Sequence, residues 1–217
     1  MKLFAASRTS PFACRVRLAV YARGLDIEIC PVPNDDTQGP EYLAINPLGR
    51  IPALILDDGM VIVESEVIME YLEDRFAQSS LRPASVEDRA RARMIARVAD
   101  LYVFETGRAL VAHLNPQDRD DSVVEATFAA LDDQLAHLES FLGAGPYAVG
   151  AELSTADCAL ATTLAGIQAV SVHFGRPTFL ARHPKIAAYL GFIPSNPHVA
   201  RIFGEMREAY VTRLGPS

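Results

Sequence analysis

Cysteine is scarce in this chain, and its pattern excludes two classes of structure. Cys14, Cys30 and Cys158 are the three cysteines among 217 residues, an odd number with no Cys-x-x-Cys pair. A disulfide framework needs paired cysteines, and a structural zinc site needs clustered Cys and His, so neither is predicted. We expect no metal site, and this cysteine content fits a reducing, cytoplasmic compartment.

Two function classes lack their sequence signatures. Lys and Arg number 20 against 27 Asp and Glu, for a net charge of −7, whereas binding to nucleic-acid phosphates requires a basic surplus. A membrane-spanning helix needs about 20 consecutive apolar residues, and the apolar runs at residues 53–56 and 60–63 are far shorter. The N-terminal segment becomes polar before the apolar region of a signal peptide is complete. We therefore expect no nucleic-acid partner and no membrane insertion.

The hydrophobic patterning divides the chain into two parts. Residues 1–80 alternate strand and helix patterns in the order β-α-β followed by β-β-α, whereas residues 85–217 show helical periodicity only. The boundary falls near Gln78 to Ser85, where Gln78-Ser79-Ser80 and Arg82-Pro83 are typical of a linker. We predict an α/β domain over residues 1–80 and an all-α helical bundle over residues 85–217.

Local signals give the expected element boundaries. In the first part, strands are predicted at residues 2–6, 26–32, 53–56 and 60–63, with helices over residues 10–23 and from residue 65 onward. Asp58-Gly59 between two apolar runs indicates a hairpin, and Val67 and Ile68 begin the apolar face of the helix that follows. In the second part, Met94, Val98 and Leu101 mark a long helix from about residue 86, and Ser154 with Asp157 form a capping box at the start of a later one.

Pro52 stands at the entry to the third predicted strand. An Ile51-Pro52 bond there is either cis, as in the tight turns that retain this rare state, or an ordinary trans bond that begins an edge strand. In a thioredoxin-like sheet, a proline here turns the N–H and C=O of Ile51 outward, where they can pair with an extended peptide. Ile51 is then a candidate for binding a peptide backbone.

Glu64 and Ser65 lie between the hairpin and the helix that follows it. The N–H groups and the dipole at a helix start favour an anion, so Ser65 is suited to a carboxylate and Glu64 to an ammonium group. The pair matches the zwitterionic end of an amino acid. Alternatively, Ser65 only caps its own helix, and the two roles are compatible.

Ser10 occupies the turn from the first strand to the first helix, where thioredoxins carry a Cys-x-x-Cys pair. Ser10 and Ala13 stand at that spacing here, so a dithiol redox cycle is excluded at this position. A hydroxyl at a helix N-terminus can donate to a ligand thiolate and lower its pKa from about 8.5. The structural alternative is that Ser10 is only the N-cap before Pro11.

Together these motifs resemble the cytosolic glutathione S-transferase superfamily, in a bacterial-type, serine-type form. The matching segments are the Ser-Pro-Phe helix start at Ser10, Asn-Pro-Leu-Gly-Arg-Ile-Pro ending at Pro52, Glu64-Ser65 after the Asp-Gly turn, and the Ser-Thr-Ala-Asp box at Ser154. They occur in the family's order over nearly the whole chain. The combination is specific, although each short motif alone is weak.

The resemblance implies a thioredoxin-like N-terminal domain (βαβ-ββα), an all-α C-terminal domain and a cytoplasmic homodimer with an acceptor pocket between the domains. Glutathione is the implied cosubstrate, without a metal. Ser10 would stabilise the thiolate, Ile51 and cis-Pro52 would bind the cysteinyl backbone, and Arg50 would meet the glycyl carboxylate. Glu64 and Ser65 would hold the γ-glutamyl end, whereas Asp157 is a folding cap.

The leading prediction is a detoxification enzyme that ionises the thiol of glutathione and presents it to a small electrophile. Ser7 and Thr9 are alternatives to Ser10, and Cys14 lies too far into the helix to act as a nucleophile. The Ser-Ser-Cys signature of the isomerase-containing zeta class is absent, although Arg15-Val16-Arg17 resembles its continuation. A glutathione-dependent isomerase and a non-catalytic binding or regulatory protein of the same fold are the alternative functions.

Overall fold

The computed structural model describes residues 1–214, and the chain divides into two compact units, residues 1–82 and residues 83 onward. The last three residues of the predicted second domain, 215–217, lie outside the described residues. Each unit has its own pattern of elements and its own buried core.

The first unit contains a mixed four-stranded sheet. Its strands are β1 (Lys2–Phe4), β2 (Glu28–Cys30), β3 (Ala53–Ile55) and β4 (Val61–Val63), and its helices are α1 (Pro11–Ala22), α2 (Pro40–Leu43) and α3 (Ser65–Arg75). The strand order is β2-β1-β3-β4, with β1 and β2 parallel and the other pairs antiparallel. The predicted order β-α-β then β-β-α is confirmed, with strands shorter than the sequence patterns suggested.

The ends of the two long helices of this unit follow from local chemistry. Ser10 is the N-cap of α1, with Pro11 as the first helical residue, and Gly24 adopts a φ of +58° just after the helix, a conformation that costs glycine little. On α3, Ile68 and Leu72 are buried as predicted. Val67 is 53% exposed, so its assignment to the buried face was wrong.

The second unit is all-α, as predicted. Its helices are α4 (Val86–Val98), α5 (Glu105–Arg108), α6 (Asp121–Phe141), α7 (Thr155–His173), α8 (Pro184–Phe192) and α9 (Pro197–Leu214). A π-helical segment at Ala99–Phe104 joins α4 to α5, and a 3₁₀ segment at Ala109–His113 follows α5. The predicted long helix is therefore one continuous helical path whose hydrogen-bond pattern changes three times, from α to π, back to α, and then to 3₁₀.

The buried face of α4 differs from the predicted one. Met94 is 39% exposed and Leu101 is 49% exposed, whereas Ala92, Ile95 and Ala96 are buried. Two of these three buried residues are alanines, which offer little apolar area but permit close approach of a neighbouring helix. The expectation that Met94 and Leu101 mark the buried face was therefore wrong.

The capping box at the start of α7 is present. Asp157 is fully buried, and its carboxylate accepts hydrogen bonds from the Ser154 N–H and hydroxyl at 2.8 Å each, from the Ala148 N–H at 2.8 Å and from the Tyr189 hydroxyl at 3.1 Å. Burial raises the pKa of this carboxyl against the effect of these donors. Asp157 joins α7 to α8 and to the loop before α7.

By length and composition alone, α7 could also cross a membrane, with a mean hydropathy of 1.2 over an 18-residue window. That window is 72% buried inside the protein, as is usual for the central helix of an all-α core. In the sequence, α7 contains no long uninterrupted apolar run, because threonine, serine and glutamine interrupt its alanine-rich sequence.

Candidate functional site

The sheet register brings three predicted site segments to the same end of the first unit. Phe4, the last residue of β1, pairs with Ala53, and Ala53 in turn pairs with Val63, the last residue of β4. At this end of the sheet, the chain therefore runs from Phe4 toward Ser10, from Pro52 into Ala53, and from Val63 into Glu64. Three short motifs that are distant in sequence become neighbours in this way.

Ser10 both caps α1 and retains a proton to donate. Its half-buried side-chain oxygen accepts a hydrogen bond from the Ala13 N–H at 3.3 Å. Within residues 1–214, no acceptor takes the hydroxyl proton of Ser10. The capping role and the donor role proposed from the sequence are therefore compatible, and the positive end of the α1 dipole lies at the same point.

Cys14 is unsuited to nucleophilic chemistry. Its side chain is fully buried, with the sulfur 3.5 Å from the Arg8 carbonyl oxygen and 3.9 Å from that of Ser7. Burial raises the pKa of the Cys14 thiol from 9.0 to about 11. Because the thiolate is the reactive form, this cysteine stays protonated and inert at neutral pH.

The turn before β3 is held by side chains from its own unit. The carbonyl oxygen of Arg50 accepts hydrogen bonds from the Tyr42 hydroxyl at 2.7 Å and from the Asn46 side-chain amide at 2.6 Å. The Ile51-Pro52 peptide bond is cis, which is one of the two states considered from the sequence. No described residue bonds to the N–H or C=O of Ile51, so both groups are available to a ligand.

Arg50 itself is exposed, and its guanidinium forms no ion pair with the described residues. A free cation beside the available Ile51 backbone is suited to a carboxylate at one end of a bound peptide. The side chain and the backbone of adjacent residues thus offer complementary contacts.

The start of α3 is open to an anion. Glu64 occupies the N-cap position without a side-chain capping bond, and its backbone adopts φ 68° and ψ 119°, which is strained for a residue other than glycine. Ser65 is 5% exposed, and no described residue bonds to its hydroxyl. The alternative in which Ser65 caps its own helix is therefore not the observed arrangement.

Sequence reasoning missed two ion pairs between α1 and α3, one near the start of α3 and one near its end. Arg15 of α1 pairs with Glu66 of α3, and Arg23 of α1 pairs with Glu73 of α3. An arginine on an amphipathic helix looks like part of a solvated face, and the acidic partner is about 50 residues away in sequence. No signal in one sequence links the partners.

The second unit contains a groove of about 1220 Å³ lined by α7, α8, α9 and the connection before α8. Its walls are mostly small or apolar, with Gln168, His173, Arg207 and Tyr210 as polar lining residues. None of the predicted site residues lies in it. Among residues 1–214, no group of three His, Cys, Asp or Glu side chains is placed to hold a metal ion.

Comparisons with known proteins agree with this architecture. Residues 4–80 match the model of the glutathione S-transferase N-terminal domain, and residues 121–191 match that of the C-terminal domain. The thioredoxin-like first unit and helical second unit expected from the sequence are thereby confirmed.

Individual relatives carry two kinds of name. A maleylacetoacetate isomerase of Mus musculus is 31% identical over 192 residues, which cover 84% of this chain and 86% of the relative. A Pseudomonas aeruginosa maleylacetoacetate isomerase is 36% identical over 118 residues, 52% of this chain and only 55% of the relative. A Methylobacillus flagellatus glutathione S-transferase, solved with glutathione bound, is 25% identical with a TM-score of 0.76 over 93% of this chain and 98% of that one.

Proposed function

The chain belongs to the glutathione S-transferase family. On that premise, we propose that it binds glutathione at the end of the sheet where β1 and β4 end and β3 begins, and that it activates the glutathione thiol for attack on a small electrophile. The single observation that carries the proposal is the register of Phe4, Ala53 and Val63, because it places the Ser10, Ile51 and Ser65 segments side by side.

Ser10 is assigned to the thiolate. Its hydroxyl proton is not used within the described residues, and it lies at the positive end of α1, so it can donate to sulfur without losing its capping bond. A donor and a positive dipole both favour the charged form, which lowers the thiol pKa toward neutrality. The thiolate then attacks the electrophile, and the protein supplies no covalent nucleophile of its own.

The remaining contacts hold the two ends of glutathione. The free N–H and C=O of Ile51, next to cis-Pro52, pair with the cysteinyl backbone as an added strand does. Ser65 receives the γ-glutamyl carboxylate at the start of α3, and Glu64 accepts from the ammonium group. Arg50 meets the glycyl carboxylate. Within residues 1–214, each of these groups lacks a competing partner or is exposed to solvent.

The test is a pH titration of thiolate absorbance for glutathione bound to the full chain and to Ser10→Ala. We expect a bound thiol pKa below that of free glutathione in the wild-type protein, and an increase toward the free value in the variant. S-methylglutathione, which has no thiol, serves as the binding control. Absence of binding at millimolar glutathione would contradict the proposal and favour a non-catalytic role.

A second candidate is a glutathione-dependent isomerase, favoured by the names of the Mus musculus and Pseudomonas aeruginosa relatives. Thiolate addition to a conjugated double bond, rotation about the resulting single bond and departure of the thiolate would leave glutathione unchanged. Incubation with maleylacetoacetate distinguishes the two: isomerisation without loss of free glutathione supports this reaction, and stoichiometric loss supports conjugation.

We also propose a homodimer. Large apolar side chains are exposed at the β3–β4 hairpin and on α3, where Met60 is 60% and Val67 is 53% exposed, and on the α4 path, where Leu101 is 49% exposed. Apolar side chains that a soluble protein exposes to water can mark protein interfaces when they form a patch, and the dimer would cover these side chains. Light scattering coupled to size-exclusion chromatography tests the dimer, and a monomer at micromolar concentration would contradict it. The cytoplasmic location and the role in detoxification stay predictions.

A further inference from the structure

A buried ion pair joins the two helices that carry the proposed glutathione contacts. Arg15 Nη1 on α1 lies 2.9 Å from Glu66 Oε1 on α3, with the Arg15 side chain completely buried and that of Glu66 30% exposed. Ser10 precedes Arg15 by five residues on α1, and Ser65 directly precedes Glu66 on α3. The pair therefore links the beginnings of both helices.

Stability alone is a poor explanation for this arrangement. Removing two charges from water costs several kcal/mol per ion in real proteins, about as much as their attraction returns, so apolar replacements are often neutral or stabilising. What an arginine–carboxylate pair does provide is a fixed geometry, because the planar guanidinium donates along set directions. The guanidinium of Arg15 also lies 4.9 Å from the Phe12 ring centre, which limits its movement further.

We propose that Arg15 is a positioning residue for glutathione, acting through Glu66 to fix where Ser65 lies relative to Ser10. The inference rests on the proposed function of these two serines. The γ-glutamyl carboxylate at Ser65 and the sulfur at Ser10 belong to one molecule of limited reach. A small displacement of the first turn of α3 therefore moves the sulfur away from the hydroxyl that stabilises it.

The charge of Arg15 has a second consequence at the same place. Glu66 is an anion adjacent to Ser65, where the γ-glutamyl carboxylate binds, and like charges at this separation repel. The guanidinium of Arg15 offsets that repulsion. Loss of this cation would both loosen the helix start and leave the repulsion between Glu66 and the ligand less offset.

The test compares Arg15→Met, Glu66→Leu and the double variant with the wild-type full chain. Each single variant removes one member of the pair and keeps the charge of the other, whereas the double variant removes both charges and is expected to recover most of the thermal stability. Readouts are the Kd for glutathione, the pKa of its bound thiol and the Ser65 amide chemical shift in the free protein. Arg82→Met is the matched control, because Arg82 also pairs with α3, at Glu70 and Asp74, away from the helix start.

Relative to wild type, we expect the stable double variant to show a changed Ser65 amide chemical shift, a higher Kd for glutathione and a higher pKa of the bound thiol. Its kcat should be lower by about tenfold to a hundredfold. Arg15→Lys retains the charge without the planar fork and should give an intermediate result. Arg82→Met should leave all three readouts unchanged.

Recovery of stability together with wild-type Kd and thiol pKa in the double variant would overturn the inference, since the pair would then be structural only. Wild-type protein that fails to bind glutathione would overturn the proposed function, and the inference with it. The first result leaves the proposed function intact, so the two failures are distinguishable.

Discussion

Arg23 at the end of α1 and Glu73 in the last part of α3 form an ion pair at 3.0 Å in which each side chain is only 1% exposed. Arg23 also donates to the carbonyl oxygens of Leu72, Phe76 and Ser79. Leu72 lies in the last turn of α3, and Phe76 and Ser79 follow the helix, so these bonds join Arg23 to the C-terminal end of α3 and to the segment after it. Arg23 therefore closes α3 at the end opposite to the proposed glutathione site.

We expect Glu73→Ala to lower the free energy of unfolding by about 3–5 kcal/mol, because it removes the buried carboxylate that pairs with the buried Arg23 guanidinium. Glu73 also accepts from the Leu81 N–H and the Ser80 hydroxyl, so the segment after α3 should loosen as well. Urea unfolding at pH 7 measures the change. Arg82→Ala, which removes a more exposed ion pair on the same helix, should cost far less, and equal losses in both variants would contradict this account.

Ser10→Ala should reduce turnover by a factor of about 100 to 1000, the usual effect of losing one donor to a developing or stabilised anion. The substitution also removes a helix cap worth about 1 kcal/mol. Ser10→Asp separates the two effects, since a carboxylate can accept the Ala13 N–H but has no proton for the thiolate. We expect Ser10→Asp to be as stable as wild type and at least as inactive as Ser10→Ala.

Steady-state turnover with a chromogenic electrophile and thermal unfolding together measure both effects. Ser7→Ala and Thr9→Ala are the matched controls for the two alternatives on the same turn. Full activity in Ser10→Ala with loss in either control would transfer the thiolate role to that neighbour.

Glu64→Gly should weaken glutathione binding without lowering stability. The backbone of Glu64, at φ 68°, carries strain of about 1–3 kcal/mol that glycine relieves, which offsets the entropy cost of glycine of about 0.5–1 kcal/mol. Loss of the carboxylate removes a charge-assisted bond of about 1.5–3 kcal/mol, so calorimetry should show a Kd higher by about tenfold to a hundredfold.

Glu64→Gln keeps the strained backbone and should weaken binding to a similar degree, whereas Glu28→Gln on the edge strand β2 should leave it unchanged. Tight binding by Glu64→Gly would remove Glu64 from the proposed γ-glutamyl contact.

Much of the fold could be predicted because its signals are local. Ser10 and Gly24 mark the ends of α1, Asp58-Gly59 marks the hairpin, and the Ser154–Asp157 pair marks the start of α7. Each depends on residues within a few positions of one another. The chemistry of caps and turns is therefore visible without knowledge of the tertiary structure.

The unpredicted features all depend on the tertiary path of the chain. Arg15 and Arg23 are buried only because α3 brings Glu66 and Glu73 to them, and the hydrogen bonds from Tyr42 and Asn46 to Arg50 depend on the path of the turn before β3. The choice of buried face on α4 likewise depends on which helix packs against its alanines. Periodicity in one segment does not contain this information.

Cys14 gives a pH dependence whose sign can be derived. Its folded pKa is about 11, above the ordinary value of 9.0, so between these pH values the folded protein retains a proton that the unfolded chain has lost. Unfolding then releases a proton, and stability falls as pH rises from about 9 to 11, by up to about 1.4 kcal/mol per pH unit. In Cys14→Ala this contribution is absent, and the free energy of unfolding should fall less steeply over the same interval.

The two slopes are measured by denaturant unfolding at a series of pH values from 8 to 11, in the wild-type protein and in Cys14→Ala. The free energy of unfolding of each protein is compared with its own value at pH 8, so that the packing energy lost in the variant does not affect the comparison. Ellman's reagent gives an independent check, because a buried thiol with a raised pKa should react only after unfolding. Rapid modification of the native protein at pH 8 that is absent from Cys14→Ala would contradict the inert state assigned to Cys14, and would return a cysteine nucleophile to consideration beside Ser10.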